Sequence, residues 1–138
     1  MNPPRHPRHR CLILLAALAA SSVEAHHSFN MFDMGKSVML HGTVKDLQWS
    51  NPHVILFVQT DGKGGEAPVL WSVECTSPGN LTRLGWTRKS FKAGDAVDVE
   101  IHPLRDGKMG GAFEKATLRE TGQVITARFS DLEKAGQE

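Results

Sequence analysis

Histidine is the residue type whose placement most suggests chemistry in this chain. Seven occur in 138 residues, and five of them, His26, His27, His41, His53 and His102, follow a leader that ends at Ala25. A cut between Ala25 and His26 gives His26 a free α-amine beside its imidazole Nδ1. That is a bidentate nitrogen chelate, and it suits the tetragonal preference of Cu(II). One further imidazole completes a brace-like site. His27 is adjacent but points elsewhere in an extended chain, so the second imidazole has to come from the fold. His53, directly after Asn51-Pro52, is the candidate. The expected metal set is therefore His26, His27 and His53, holding copper first, or zinc, which imidazole also serves. A cut one residue earlier exposes Ala25-His26-His27, which also chelates copper(II), in altered geometry. Weighed against this, a terminal His-His can be nothing more than part of an arm. His41 and His102 fall on outward strand faces, where solvated histidine is the ordinary state. No Cys-x-x-Cys, His-Glu-x-x-His or acidic calcium loop adds to the set.

The metal reading depends on the leader. Arg5, Arg8 and Arg10 stand without an acidic partner and lead into the apolar run Cys11 to Ala20. That run of about ten residues is half the roughly 20 needed to span a bilayer, and Val23 and Ala25 fit an A-x-A-like cleavage pattern. Residues 1–25 are thus expected to be a cleavable secretory signal peptide, leaving no stable membrane span. The product is periplasmic or secreted. About 113 residues remain, with 13 basic and 14 acidic side chains. A nearly neutral exported domain lacks the basic surplus that non-specific phosphate binding needs, so nucleic acid is not an expected partner. Cys11 leaves with the leader. Cys75 then stands alone in an apolar strand, so no internal disulfide can form, and burial is expected over reactivity.

Other constellations suggest a binding surface. Trp49, Trp71 and Trp86, with Phe57 and Phe91, could stack on a flat ligand, although aromatic residues in a β-rich domain are more often packing. Arg83, Arg88, Lys89 and Lys92 could form a basic patch for an anion, with a solvated surface as the plain alternative. The expected ligand-binding residues are Trp49, Asn51, Trp71, Trp86 and Arg88. There is no nucleophile elbow and no Ser-His-Asp order, so no catalytic motif is found.

These residues are positioned by short apolar runs separated by turn chemistry. Val38 to Leu47 alternates, with Val38, Leu40 and Val44 on one face. Asn51-Pro52 punctuates the chain. Strands are expected over His53 to Thr60 and Val69 to Cys75, joined by the glycine-rich loop Asp61 to Gly65. Ser77-Pro78 can cap and start a short helix that exits at Gly85. Trp86 to Phe91 reads as a connector. Ala96 to His102 places Val97, Val99 and Ile101 inward. Asp106-Gly107 and Gly110-Gly111 frame a reversal before Ala112 to Arg119, and a last short strand is expected over Val124 to Ala127. Three strands, a helix and two strands is the order of a five- to six-stranded barrel like the oligonucleotide/oligosaccharide-binding (OB) fold, mainly β, with its helix between the third and fourth strands. An open β-sandwich is the rival. Residues 26–37 are expected as an N-terminal arm, 38–130 as the barrel and 131–138 as a polar tail.

The chain resembles a family of small exported bacterial proteins, the domain of unknown function 6152. The likeness rests on Ala25-His26-His27-Ser28-Phe29, Gly42-Thr43-Val44, Trp49-Ser50-Asn51-Pro52-His53, Trp71-Ser72-Val73-Glu74, and Gly85-Trp86-Thr87-Arg88 followed by Gly94-Asp95. Relatives often carry threonine in place of Ser50, and Cys75 departs from the pattern. The resemblance implies an exported barrel-like domain and brings no activity.

Two functional expectations follow. One is an exported β-barrel that binds copper or zinc through its mature N-terminal histidine. The other is a non-catalytic envelope module for a protein, a glycan or a small anionic ligand. A monomer is expected in either case.

Overall fold

The computed structural model describes residues 29–61, 64 and 66–127. Six strands and one short helix follow in order: β1 Val38–Gln48, β2 Ile55–Thr60, β3 Val69–Glu74, α1 Pro78–Arg83, β4 Ala96–Pro103, β5 Gly110–Leu118 and β6 Val124–Thr126. β1 to β3 form the expected antiparallel meander, β4 pairs with the other side of β1, and β5 pairs with β4. A parallel pairing of β3 with β5, through Ser72↔Gly110, Val73↔Gly111 and Glu74↔Ala112, then closes the sheet. The result is a closed five-stranded OB-like barrel with β6 added beside β5. Closure rules out the open sandwich, whose two sheets share no such seam.

The interior follows the period of two that the sequence shows. Leu40 and Val44 on β1, Leu56 and Val58 on β2, Val73 on β3, and Val97, Val99 and Ile101 on β4 are all buried. Each such side chain is worth roughly 1.5–3 kcal/mol of transfer free energy. β1 pairs along both of its edges. Thr43 and Gly42 still pair with both β2 and β4, and a bulge lies between Val44 and Asp46. Glycine is required at 42, since a Cβ there would lie 2.3 Å from the carbonyl oxygen of Gln59.

One barrel end is plugged. Ser77 Oγ accepts from the Asn80 amide at 3.3 Å, Pro78 opens the helix, and Gly85 leaves it with φ 84°. α1 puts Leu81 fully inside. The segment after it is more than a connector, because Trp86 and Phe91 are buried and pack edge-on with each other and with Phe113. Periodicity cannot reveal this, since two isolated aromatics in a loop have no period. Cys75 is buried too, and burial pushes its thiol far above the ordinary range, with Glu74 adding to the effect.

Two boundaries move. Gly110-Gly111 is the start of β5 and not part of a turn. A Cβ on Gly110 would meet the Ser72 carbonyl oxygen at 3.1 Å and one on Gly111 the His102 carbonyl oxygen at 2.5 Å, so the glycines permit the close approach that seals the barrel. The arm is also partly built into the fold. Phe29–Met31 forms a 3-10 turn, Phe32 is buried and bridges Leu104, and the Asp33 amide donates to the Pro103 carbonyl at 2.8 Å.

Candidate functional site

His26 and His27 lie outside the described residues. The three histidines within them share one arrangement that the sequence did not disclose: each meets a carboxylate. His53 Nδ1 lies 2.5 Å from Glu74 Oε1, His41 Nδ1 lies 2.7 Å from Asp98 Oδ1, and His102 Nε2 lies 3.3 Å from Glu114 Oε2. The solvated state expected of His41 and His102 is therefore incomplete. His41 is largely exposed but tethered, Asp98 being held in turn by Arg119 Nε at 3.2 Å, and His102 is mostly covered, its Nδ1 2.8 Å from the Lys36 carbonyl oxygen.

His53 is placed by local backbone pairing. It precedes β2, and Val54 is tied on both sides of the strand's entry, its amide to Thr76 and its carbonyl to the Cys75 amide. This continues the β2–β3 ladder past Ile55↔Glu74 and sets the imidazole beside the carboxylate. With Nδ1 engaged, Nε2 has no protein partner among the described residues. A carboxylate on one ring nitrogen fixes the tautomer and leaves the other nitrogen to ligate. The register also sets His102, Ala112, Glu74 and Ile55 in one row across β4, β5, β3 and β2, so His102 and Glu74 lie two strand spacings apart, about 10 Å. Among the described residues, no three His, Cys, Asp or Glu side chains converge to hold a metal.

The expected ligand-binding residues do not form one surface. Trp49, Asn51 and Arg88 gather at the β1–β2 loop. Arg88 Nη1 donates to the Trp49 carbonyl at 3.3 Å, Trp49 packs partly against the core, and Asn51 is exposed, joined by a cis bond to Pro52. Trp86 is not available to stack on anything outside. It is 3% exposed, and its indole N–H donates to the Thr126 carbonyl at 2.9 Å. Trp71 lies toward the opposite barrel end, three residues before Glu74, where it lines a groove of about 480 Å³. Val38, Met39, His41, Val69 and Met109 share that groove.

The basic residues also divide. Arg83 is turned onto Asn80 Oδ1 at 3.2 Å, while Lys89 and Lys92 border a separate depression of about 440 Å³ that Asp95 and Glu120 share. The carboxylates of the histidine pairs were missed. Glu74 carried a signal, as the one acid closing an otherwise uncharged strand, whereas Asp98 and Glu114 depend on a strand register that no local pattern reveals.

No helix of the described residues is long and apolar enough to cross a membrane. Among solved structures, the mitochondrial single-stranded DNA-binding protein of S. cerevisiae is similar at 9% identity and a TM-score of 0.44, over 60% of this chain and 92% of that one. No curated protein matches the sequence. Residues 13–114 match a family described as a family of unknown function (DUF6152).

Proposed function

The chain belongs to this family of unknown function, and on that footing we propose that it is an exported β-barrel that binds Cu(II), or Zn(II), through the α-amine and imidazole of His26 and through Nε2 of His53. The observation that carries the reading is the His53–Glu74 pair, in which the carboxylate takes Nδ1 and so orients the ring as a ligand. Chain length permits the arrangement. Phe32 is pinned to Leu104 beside β4, and six residues can reach about 20 Å. The row from His102 on β4 to Ile55 on β2 spans three strand spacings, about 14 Å.

The test uses mature protein with an authentic His26 terminus, titrated with Cu(II) and followed by EPR. Submicromolar binding with nitrogen hyperfine structure is expected, lost when one residue is added before His26 and weakened by His53→Ala. Binding at micromolar strength or weaker, unchanged by His53→Ala, overturns the reading. Competition with Zn(II) decides between the two metals.

A second reading, a non-catalytic envelope module for a small anion, a glycan or a protein, is favoured by the depression that Lys89 and Lys92 border. Pull-down from envelope extract that is insensitive to Arg88→Ala and to joint replacement of both lysines removes it.

A further inference from the structure

The four methionines among the described residues, Met31, Met34, Met39 and Met109, are 40–50% exposed, and none belongs to the core. Methionine is ordinarily taken into interiors, and here all four thioethers stand within reach of solvent and of a ligand. Nor are they scattered. Met31 and Met34 flank Phe32, which bridges Leu104, and the Met31 carbonyl accepts from the Arg105 amide at 2.9 Å. Met109 ends the same β4–β5 turn, and its carbonyl accepts from Ser72 at 3.1 Å. Met39 lies near the start of β1, where β1 has β4 on one side and, before Gly42↔Thr60, no β2 partner on the other.

That unpaired stretch of β1 opens the barrel end opposite the α1 plug. Met39 and Met109 line the groove there, together with His41 and Trp71. Its remaining walls include the apolar Val38 and Val69. Among the described residues, Asp61 and Glu66 are the other charged groups lining it, and no lysine or arginine among them does so. These two carboxylates favour a cation.

We propose that this mouth is a Cu(I) site, formed by the thioethers of Met39 and Met109 and by Nε2 of His41, with the Trp71 ring beside the ion. Thioether and imidazole donors select a soft monovalent copper ion over hard cations. Asp98, itself fixed by Arg119, engages His41 Nδ1 and leaves Nε2 as the donor. The face of an indole attracts a cation held near it. This site goes beyond the nitrogen chelate proposed above. It uses sulfur, it sits at the other end of the barrel, and it stands whether or not His26 and His53 bind Cu(II).

The mature protein, carrying ¹³C-methyl methionine, is titrated anaerobically with Ag(I) as a redox-inert probe and with Cu(I) against bathocuproine disulfonate. At one equivalent the methyl signals of Met39 and Met109 are expected to shift while those of Met31 and Met34 stay. Cu(I) affinity is expected to fall at least tenfold in Met39→Leu and in Met109→Leu, near-isosteric changes at exposed positions whose retained fold circular dichroism checks. His53→Ala leaves that affinity unchanged. Three outcomes overturn the proposal: all four methionine signals moving together, none moving at one equivalent, or an affinity indifferent to both leucine variants. A fall seen in His53→Ala instead assigns Cu(I) to the nitrogen site and equally overturns it.

Discussion

The indole N–H of Trp86 donates to the backbone carbonyl of Thr126 at 2.9 Å, tying the segment after α1 to β6. The ring itself is wedged edge-on against Phe91 and Phe113 at centroid distances of 5.4 and 5.0 Å. Trp86→Ala should therefore cost about 3–5 kcal/mol, as the loss of a large buried aromatic does. Trp86→Phe keeps most of the packing and leaves the Thr126 carbonyl unpaired, for about 1–3 kcal/mol. Urea denaturation of the two variants measures both, and equal stability of Trp86→Ala and the parent would contradict the packing described.

The close approach of β1 to β2 makes a second, sharper contrast. A methyl group at Gly42 has no room against Gln59, whereas one at Gly79, in α1, meets nothing within 4 Å. Gly42→Ala is expected to destabilise by about 1–3 kcal/mol. Gly79→Ala should be neutral or stabilising by up to about 1 kcal/mol, through the lower entropy of its unfolded chain. Thermal unfolding of the pair reads the difference, and a reversed order would place the strand crossing elsewhere.

Glu74 bears on the Cu(II) proposal without being a ligand in it. Replacement by Gln keeps the shape and removes the charge that orients and enriches the His53 ring. Metal affinity should drop roughly 10–100-fold, the usual cost of losing such a partner. Isothermal titration of Glu74→Gln beside His53→Ala checks this, with an unchanged affinity counting against the pair's role.

Asp33 reports on the docking of the N-terminal segment. Its hydrogen bond with Lys36 chiefly holds the carboxyl below the ordinary value of 3.8, with the charges of Lys36 and Arg105 assisting and partial desolvation opposing. A depressed carboxylate contributes while it is ionised, so its effect is in place above the ordinary carboxylate range and disappears as pH falls through the lowered value. Carboxyl-carbon NMR should give a midpoint under 3.8 for the parent, and Lys36→Met should move it upward.

Most of the barrel was legible because its signals are local. Alternation in β1 and β4, the Ser77-Pro78 start and Gly85 exit of α1, and the order of elements all follow from backbone chemistry acting over a few residues. What was not legible is set by partners far apart in sequence. Gly110-Gly111 reads as a turn until β3 is known to lie against it, and Trp86 and Phe91 read as a connector until Phe113 is known to meet them. The same holds for the site. His53 stood out through the loop that presents it, whereas its partnership with Glu74, and the shared groove of Met39 and Met109, come from pairing registers and closure of the sheet.

The double pairing of β1 around Gly42 governs the molecule's resistance to fraying. One continuous segment supplies hydrogen-bonding neighbours to β2 along its later half and to β4 along its earlier half. Detaching it would strip both flanks of the sheet at once, so neither half of the wall can peel away while the other survives. The amides of β1 around Gly42 should accordingly exchange with solvent only when the entire chain lets go.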